Sequence, residues 1–226
     1  MQTFVQAEPY ALTAVELAQF RALSAWRHQE YDDETDPLRV LHFQRLLSEV
    51  ARLPFGDYIE MGTQHGCTAK IIYDLMVPSA HLYCFDTFQG FHAEDLKIED
   101  GIRPHGFTKD SIAVVDISKV RDKILGEAQV SEQLTLVAGR VPYSLAPFRD
   151  RQFRFAHIDM DLYEPTSQGL SWIWPRLIPG AIVLFHDYDA LPSIRKAVDE
   201  FARPRGLLAV PMSDRFGSAL LFKPPG

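Results

Sequence analysis

The chain has 226 residues, of which 46% are hydrophobic and 23% charged, as in a folded globular protein. Its formal net charge of -7 argues against a broad basic surface for nucleic acid. The apolar runs are far shorter than the ~18 residues of a membrane span, and the N-terminus shows no signal-peptide pattern. The two cysteines, Cys67 and Cys84, lack metal-site spacing and are expected to be buried free thiols. We therefore predict a soluble cytoplasmic protein that binds neither nucleic acid nor membrane.

The first fifty residues are predicted to be helical. A helix is expected over 12–23, and Pro37 is expected to open a second helix that ends before Pro54. The apolar face of this second helix is predicted to comprise Leu38, Leu41, Phe43, Leu46 and Leu47. We expect residues 1–54 to form an N-terminal helical extension, a cap or dimer region, and residues 55–226 to form the main domain.

Beyond Pro54, short apolar runs alternate with segments of helical periodicity. The predicted strands are 58–61, 81–85, 134–137, 153–158 and 181–185, and the predicted helices are 67–76, 108–125, 165–177 and 191–202. This alternation predicts βαβ units, a parallel sheet and helices on both of its faces. The tail differs, because the runs 207–212 and 218–222 are joined by a tight turn and predict an antiparallel hairpin. We predict an α/β fold with a mostly parallel, seven-stranded sheet closed by that hairpin.

The end of the first predicted strand has the character of a ligand-binding turn. Residues 60–66 follow the pattern E-x-G-x-x-x-G, in which Gly62 allows a sharp turn and Gly66 allows close helix packing. Thr63 lies inside this turn and is predicted to contact a cofactor. A pyrophosphate prefers bare amides at a helix N-terminus, whereas the carboxylate of Glu60 suits a ligand with a positive amino group. A glycine-rich turn with no ligand remains the simpler alternative.

The next two strand ends extend the predicted cofactor edge. An acid at the end of the second strand, here Asp86, accepts the ribose hydroxyls of an adenosine in nucleotide-binding folds. Thr87 follows it, and Phe88 is predicted to lie against the adenine ring. Gly139 and Arg140, after the third strand, are the next predicted cofactor positions. The pattern favours S-adenosylmethionine over NAD, with a simple turn cap as the alternative role of Asp86.

Acids and histidines follow the fourth and fifth predicted strands. Carboxylates at neighbouring strand ends repel one another unless a cation lies between them. Asp159, His186 and Asp187 are the predicted ligands of Mg2+ or Mn2+, because oxygen ligands with an imidazole suit such ions. Asp161 is expected to cap the next helix. His157 is either a hydrogen-bonded core histidine or a second choice for general base after Asp159.

Five segments resemble the macrocin O-methyltransferase family: 60–62, 86–90, 157–166, 174–180 and 186–188. The resemblance covers about residues 55–202 and is most specific in the D-x-D-L-Y-E-x-T run that starts at Asp159. It implies a Rossmann-like class I methyltransferase domain that uses S-adenosylmethionine and Mg2+ to methylate sugar hydroxyls on antibiotics. In that family an Asp-Asp pair stands where this chain has His186-Asp187, so one carboxylate of the family's metal site is replaced here by an imidazole.

The predicted reaction is methyl transfer to a hydroxyl, of a sugar on a natural product or another glycosylated small molecule. Asp159 is predicted to bind the metal and to take the proton. The polar loop 91–107 is predicted to be a lid over the substrate. Three alternatives stay open: a metal-dependent hydrolase using the histidine and aspartate cluster, a non-catalytic adenosyl-cofactor-binding protein, and a dehydrogenase, which Glu60 disfavours.

A homodimer is also predicted, because the N-terminal helices carry more apolar residues than a lone helical pair on a sheet edge requires. The residues predicted to contribute are Phe20, Leu23, Trp26, Leu41, Phe43 and Leu46. The simpler alternative is that these side chains only cover the sheet.

Overall fold

Helices and strands alternate along the chain in the computed structural model, which describes residues 37–96, 108, 114–126 and 130–225. The helices are α1 (Pro37–Val50), α2 (Cys67–Leu75), α3 (Ile117–Leu125), α4 (Tyr163–Ile173) and α5 (Pro192–Ala202). The strands are β1 (Asp57–Met61), β2 (Leu82–Asp86), β3 (Leu134–Ala138), β4 (Phe153–Ile158), β5 (Leu177–Phe185), β6 (Val210–Pro211) and β7 (Ala219–Phe222). Short 3-10 helices cover Tyr143–Phe148, Trp174–Arg176 and Arg203–Arg205. The predicted helix over 12–23 lies outside the described residues.

All seven strands form one sheet in the order β3-β2-β1-β4-β5-β7-β6. Strands β1 to β5 pair in parallel, β7 is antiparallel to β5, and β6 is antiparallel to β7. The predicted sheet and its C-terminal antiparallel hairpin are therefore confirmed. Because β1 lies between β2 and β4, the strand order reverses at β1, and ligands of open α/β sheets bind beyond the strand ends at such a point.

The sheet separates two hydrophobic clusters. Successive strand residues face opposite sides, so Ile59 and Met61 of β1 pack towards α4 and α5 while Tyr58 packs towards α1, α2 and α3. Both sides are covered, which explains why the parallel strands are almost continuously apolar. Among the described residues, no helix combines the length and apolar character that crossing a bilayer requires.

Helix α1 turns only part of its predicted apolar face, Phe43 and Leu47, fully into the core. The residues that point inward are Val40, Phe43, Leu47 and Val50, all essentially fully buried. Their spacing of three or four residues keeps them in one stripe, which leaves Leu41 and Leu46 only partly buried. The predicted dimer contact through Phe43 is therefore wrong, because this side chain lies in the core of its own chain.

The end of α1 is fastened to β4 by a buried arginine. The Arg154 side chain donates hydrogen bonds to the carbonyl oxygens of Gly56 at 2.6 Å and of Leu53 at 3.2 Å. These carbonyls belong to the connection between α1 and β1, which would otherwise bury unpaired acceptors. The last turn of α1 is thus fixed near the amino ends of β1 and β4. Its first turn consequently lies at the carboxyl ends of the strands.

Among the element boundaries that differ from the sequence prediction, two have clear local reasons. Helix α3 begins at Ile117 rather than near 108, because the Asp116 side chain caps it by accepting from the Ser118 amide at 2.9 Å; residues 109–113 lie outside the described part. Strand β5 begins at Leu177 rather than 181, since the left-handed Gly180 lets the strand continue through a bend and donate to the Lys223 carbonyl.

Candidate active site

A cavity of about 750 Å³ lies at the carboxyl ends of β1 to β5, within the usual size of small-molecule sites. The predicted site residues in its wall are Gly62, Thr63, Asp86, Thr87, Gly139, Arg140, Asp159, His186 and Asp187. Arg39 of α1 and Phe216 of the β6–β7 turn complete it from above the sheet. The predicted cofactor edge and the predicted metal cluster thus open into one space. Gly66, Glu60, Phe88 and His157, all described, lie outside its wall.

The turn after β1 needs its two glycines for different contacts. A Cβ on Gly62, whose φ is +91°, would lie 1.8 Å from the Asp159 backbone oxygen, so no other residue fits where the chain leaving β4 crosses this turn. At Gly66, with φ +79°, a Cβ would lie 2.9 Å from a Val120 methyl group on α3. Gly66 therefore permits close packing against α3, whereas the sequence had suggested packing against the strand.

Asp86 ties two turns of the cavity wall together. Its carboxylate accepts hydrogen bonds from the Gln64 amide at 2.8 Å and from the Phe88 amide at 2.7 Å. Both donors have positive φ angles, which is uncommon outside glycine, and the carboxylate stabilises that conformation. A carboxylate has about four acceptor positions, so two amide bonds leave room for ribose hydroxyls. The alternative role as a turn cap is confirmed, and the ribose contact stays a prediction.

Two predicted cofactor contacts are contradicted. The Phe88 ring is buried in the cluster formed by α1, α2 and α3, so it is not available to an adenine. Glu60 is fully buried, and its Oε1 lies 3.0 Å from His157 Nδ1. The reason is positional, because Glu60 precedes the last residue of β1 and its side chain follows the alternation of the strand into the α1 side of the sheet. A cofactor amino group in the cavity therefore does not meet this carboxylate.

His157 is a core histidine held at both ring nitrogens. Nδ1 faces Glu60, and Nε2 lies 3.3 Å from Arg39 Nη2. Arginine offers only donors, so Nε2 must accept and the ring proton must be on Nδ1, donating to Glu60. Burial lowers the pKa of His157, although the hydrogen bond and charge of Glu60 oppose that shift. The prediction of a core histidine is confirmed, and the second-choice general base is wrong because neither nitrogen faces the cavity.

Arg140 lines the cavity but is bound by acids of the segment after β2. Its Nε lies 2.9 Å from one Asp95 oxygen, its Nη2 lies 2.5 Å from the other, and its Nη1 lies 2.6 Å from Glu94. Asp95 is almost buried and shares the cavity wall. Arg140 therefore fixes segment 90–96 at the cofactor end, and its own contact with a cofactor stays a prediction. The rest of the predicted lid, from 97 to 107, lies outside the described residues.

The predicted metal ligands come together at the ends of β4 and β5. His186 Nδ1 lies 3.1 Å from Asp159 Oδ1 and 3.2 Å from Asp187 Oδ2, and one ligand atom from each residue lies within 4.8 Å of the others. Adjacent oxygen ligands of Mg2+, each ~2.1 Å from the ion, are roughly 3 Å apart. His186 Nε2 is buried and has no hydrogen-bond partner among the described residues. This donor set fits a hard or borderline divalent ion.

The cluster also contains positive groups of its own. Arg39 Nη2 donates to Asp159 Oδ2 at 3.0 Å, 120 residues away in sequence. Burial and the charge of Arg39 oppose a charge on His186, but the charge and hydrogen bond of Asp159 and the hydrogen bond of Asp187 outweigh them and raise the pKa of His186 to about 9. The charge and hydrogen bond of His186, together with the charge of Arg39, hold the pKa of Asp159 below its usual range despite its burial. Arg39 was missed at the sequence level, where only the need for a cation was visible.

Asp161 belongs to the cluster rather than to a helix cap. The residue before α4 is Leu162, and no side chain caps that helix, so the predicted capping role is wrong. Burial, together with the charges of Asp159 and Asp187, raises the pKa of Asp161 well above its usual value. Asp161 and Asp187 both adopt left-handed backbone angles, which aspartate tolerates better than most residues. Both residues line the cavity.

The fold and the cavity define a class I methyltransferase architecture, and comparison with known proteins agrees. A family model described as a methyltransferase domain matches residues 59–188, so the chain belongs to that family. The solved structure of CalS11, a calicheamicin methyltransferase, superimposes with a TM-score of 0.68 at 24% identity, over 98% of this chain and 89% of that one. At this identity the likeness shows a shared fold.

Two curated relatives are O-methyltransferases. An enzyme of Streptomyces olivaceus, 8-demethyl-8-(2,3-dimethoxy-alpha-L-rhamnosyl)-tetracenomycin-C 4'-O-methyltransferase, is 25% identical over 177 residues, which are 74% of this chain and 66% of that one. Demethyldecarbamoylnovobiocin O-methyltransferase of Streptomyces niveus is 24% identical over 151 residues, 65% of this chain and 58% of that one. The chain thus spans less than two thirds of either relative. The resemblance to O-methyltransferases of antibiotic biosynthesis is confirmed.

Proposed function

We propose that the chain is an S-adenosylmethionine- and divalent-metal-dependent O-methyltransferase acting on a sugar hydroxyl of a natural product or another glycosylated small molecule. The observation that carries the proposal is the single cavity that joins Asp86 and Gly139, at the cofactor edge, to Asp159 and Asp187. The methyltransferase-domain family supports methyl transfer. The rhamnosyl group in the name of one relative supports a sugar acceptor.

The chain's own residues would orient the acceptor and take its proton. A sugar hydroxyl has a pKa far above 7, so its attack on a methyl group needs a base and a fixed direction of approach. Asp159 is the proposed base, because its Oδ1 faces the cavity cluster while its Oδ2 is held by Arg39. Asp159, His186 and Asp187 would hold the metal ion, which lowers the pKa of an oxygen that it binds.

A methyltransferase without a metal is the second candidate, and one observation favours it. With a pKa of about 9, His186 is positively charged at neutral pH, so His186 and Arg39 together balance the charges of Asp159 and Asp187. A divalent ion would have to displace that proton to use Nδ1. A hydrolase would be recognised by the absence of cofactor binding. A non-catalytic cofactor-binding protein would bind the cofactor but transfer no methyl group.

The test is methyl transfer to a rhamnosylated acceptor, with and without EDTA and with Mg2+ or Mn2+ added back. We expect EDTA to abolish turnover and the metal to restore it. Asp159→Asn and Asp187→Asn should each lower kcat at least ~100-fold while leaving affinity for S-adenosylhomocysteine nearly intact. Asp74→Asn, which removes the surface acid paired with Lys70, is the matched control and should retain activity.

Full activity in EDTA would remove the ion from the mechanism and favour the metal-free candidate. His186→Asp supplies a further comparison, since it would create the acid pair of the family that the motifs resemble. We expect this variant to remain active and to shift its preference towards Mg2+, because a carboxylate is a harder ligand than imidazole.

The homodimer and the cytoplasmic location are also retained as proposals. The apolar residues of the N-terminal segment that motivated the dimer, other than those of α1, lie outside the described residues. The division at residue 54 stays a prediction, although α1 packs on the sheet and contributes Arg39 to the cavity.

A further inference from the structure

Arg39 reaches the cavity from the first turn of α1 and meets the cluster through one nitrogen. Nη2 lies 3.0 Å from Asp159 Oδ2 and 3.3 Å from His157 Nε2, and the side chain is only 12% exposed. The guanidinium carbon lies 5.9 Å from the centre of the Phe43 ring, one turn further along α1. A buried guanidinium with a carboxylate on one side and an imidazole on the other has little freedom to swing away.

The groups behind Arg39 hold it in that position. Glu60 fixes the His157 ring through Nδ1, which leaves Nε2 as the acceptor that faces Arg39. The Phe43 ring packs edge-on against His157 with centroids 5.0 Å apart, so the imidazole cannot turn freely. A buried polar oxygen without a hydrogen-bond partner is costly, and Glu60 Oε2 has no such partner among the described residues. Apolar side chains of similar volume are often at least as stabilising as a buried ion pair, so stability alone does not account for this one.

The two carboxylate oxygens of Asp159 consequently contact different neighbours. Its Oδ2 accepts from Arg39, and its Oδ1 faces His186 Nδ1 at 3.1 Å. Oδ1 is therefore the oxygen that lies beside His186, the neighbouring member of the predicted metal cluster. Arg39 also places a permanent positive charge beside a carboxylate that a divalent cation would use, and like charges at this distance repel.

We infer that Arg39 is a positioning residue for the acceptor site, one that directs Asp159 Oδ1 to the cluster and keeps the affinity for a divalent cation low. The inference rests on the proposed metal-dependent function. Its consequence is that loss of the Arg39 charge strengthens cation binding and weakens turnover, because Asp159 Oδ2 is then free to bind the cation or to rotate. Loss of folding would instead weaken both.

The experiment measures Mn2+ affinity directly, from the electron paramagnetic resonance signal of free Mn2+ during titration of the full chain. Wild type is compared with Arg39→Gln, which removes the charge, and Arg39→Lys, which keeps it. Arg52→Gln is the matched control, because the Arg52 ion pair with Glu49 is fully on the surface near the other end of α1. Affinity for S-adenosylhomocysteine, measured by calorimetry, verifies that each variant is folded.

We expect Arg39→Gln to bind Mn2+ about tenfold more tightly than wild type and to have a kcat about tenfold lower. Arg39→Lys should stay within about threefold of wild type in Mn2+ affinity, and Arg52→Gln should match wild type in both properties. The KM for S-adenosylmethionine should not change in any variant. A folded Arg39→Gln protein that binds Mn2+ no more tightly than wild type would overturn the inference.

The same titration distinguishes this inference from the proposal on which it rests. If wild type binds no Mn2+, the metal-dependent function fails and the inference fails with it. If wild type binds Mn2+ and needs it for turnover, but Arg39→Gln and Arg39→Lys have equal affinities, only the role of Arg39 is wrong.

Discussion

Glu60, Asp86 and Asp159 are acids at the ends of three adjacent strands. Their surroundings differ because their positions relative to the end of the strand differ by one or two residues. Glu60 lies inside β1, so its side chain enters the core and pairs with His157. Asp86 is the last residue of β2 and accepts amides of the turns around it. Asp159 follows β4 and enters the cavity, where Arg39 and His186 bind it. Residue type alone does not distinguish these three roles.

Asp86→Ala tests the cofactor edge at the scale of one residue. We expect the affinity for S-adenosylhomocysteine to fall by roughly 1.5–3 kcal/mol, the magnitude of lost charge-assisted hydrogen bonds. Stability should fall as well, by about 1–3 kcal/mol, because two turn amides lose their acceptor. Calorimetry below the unfolding transition separates these effects, with the surface variant Asp74→Ala as control. Unchanged affinity in a folded protein would end the assignment of Asp86 to the ribose.

At the scale of elements, the cavity is assembled by connections that cross the sheet edge. The chain leaving β4 packs closely against Gly62 in the turn after β1. Helix α1, which precedes the sheet in sequence, adds Arg39 to the cavity wall. The segment after β2 is held to the turn after β3 by Arg140 and Asp95. An arginine that binds both oxygens of an acid has a defined geometry, which makes this pair a rigid link rather than a loose surface contact.

Disruption of the Arg140–Asp95 pair is expected to loosen the part of the cavity that is predicted to bind the cofactor. Arg140→Lys loses the paired hydrogen bonds to Asp95, and Asp95→Asn loses the charge, so each should raise the KM for S-adenosylmethionine about 3- to 10-fold with a smaller change in kcat. The double variant should be little worse than either single one, because the two residues act on one interaction. Arg149→Lys, at an exposed position, is the control. Additive effects would show that Arg140 binds the cofactor independently of Asp95.

At the scale of the whole molecule, the oligomeric state stays a prediction. Phe43 is excluded from any dimer contact by its burial, while Leu41 and Leu46 of α1 remain partly accessible. We expect multi-angle light scattering at micromolar concentration to give about twice the chain mass of 25.7 kDa. A mass equal to that of one chain would refute the dimer and leave α1 as a cover for the sheet.

Much of the candidate site was predictable because parallel strands end at the same edge of a sheet. Acids and glycines directly after β1, β2, β4 and β5 must therefore meet there, and Asp159, His186 and Asp187 do. The wrong predictions concern side chains whose direction would be reversed by a shift of one residue along the strand or turn. Phe88 enters the core because of its left-handed backbone, and Glu60 because of strand alternation. Neither is visible in a motif that records only residue types and spacing.

The sequence by itself determined the order of helices and strands along the chain, because alternating apolar runs and amphipathic segments are local properties. These segments specify a parallel α/β sheet with its C-terminal hairpin. The sequence also determined that a cation must balance the acids at the strand ends. Only the tertiary structure decided that Arg39, 120 residues from Asp159, supplies part of that charge, and that His157 faces Glu60. The physical reason is that periodicity reports which face of an element is buried, whereas charge pairing depends on how distant elements pack.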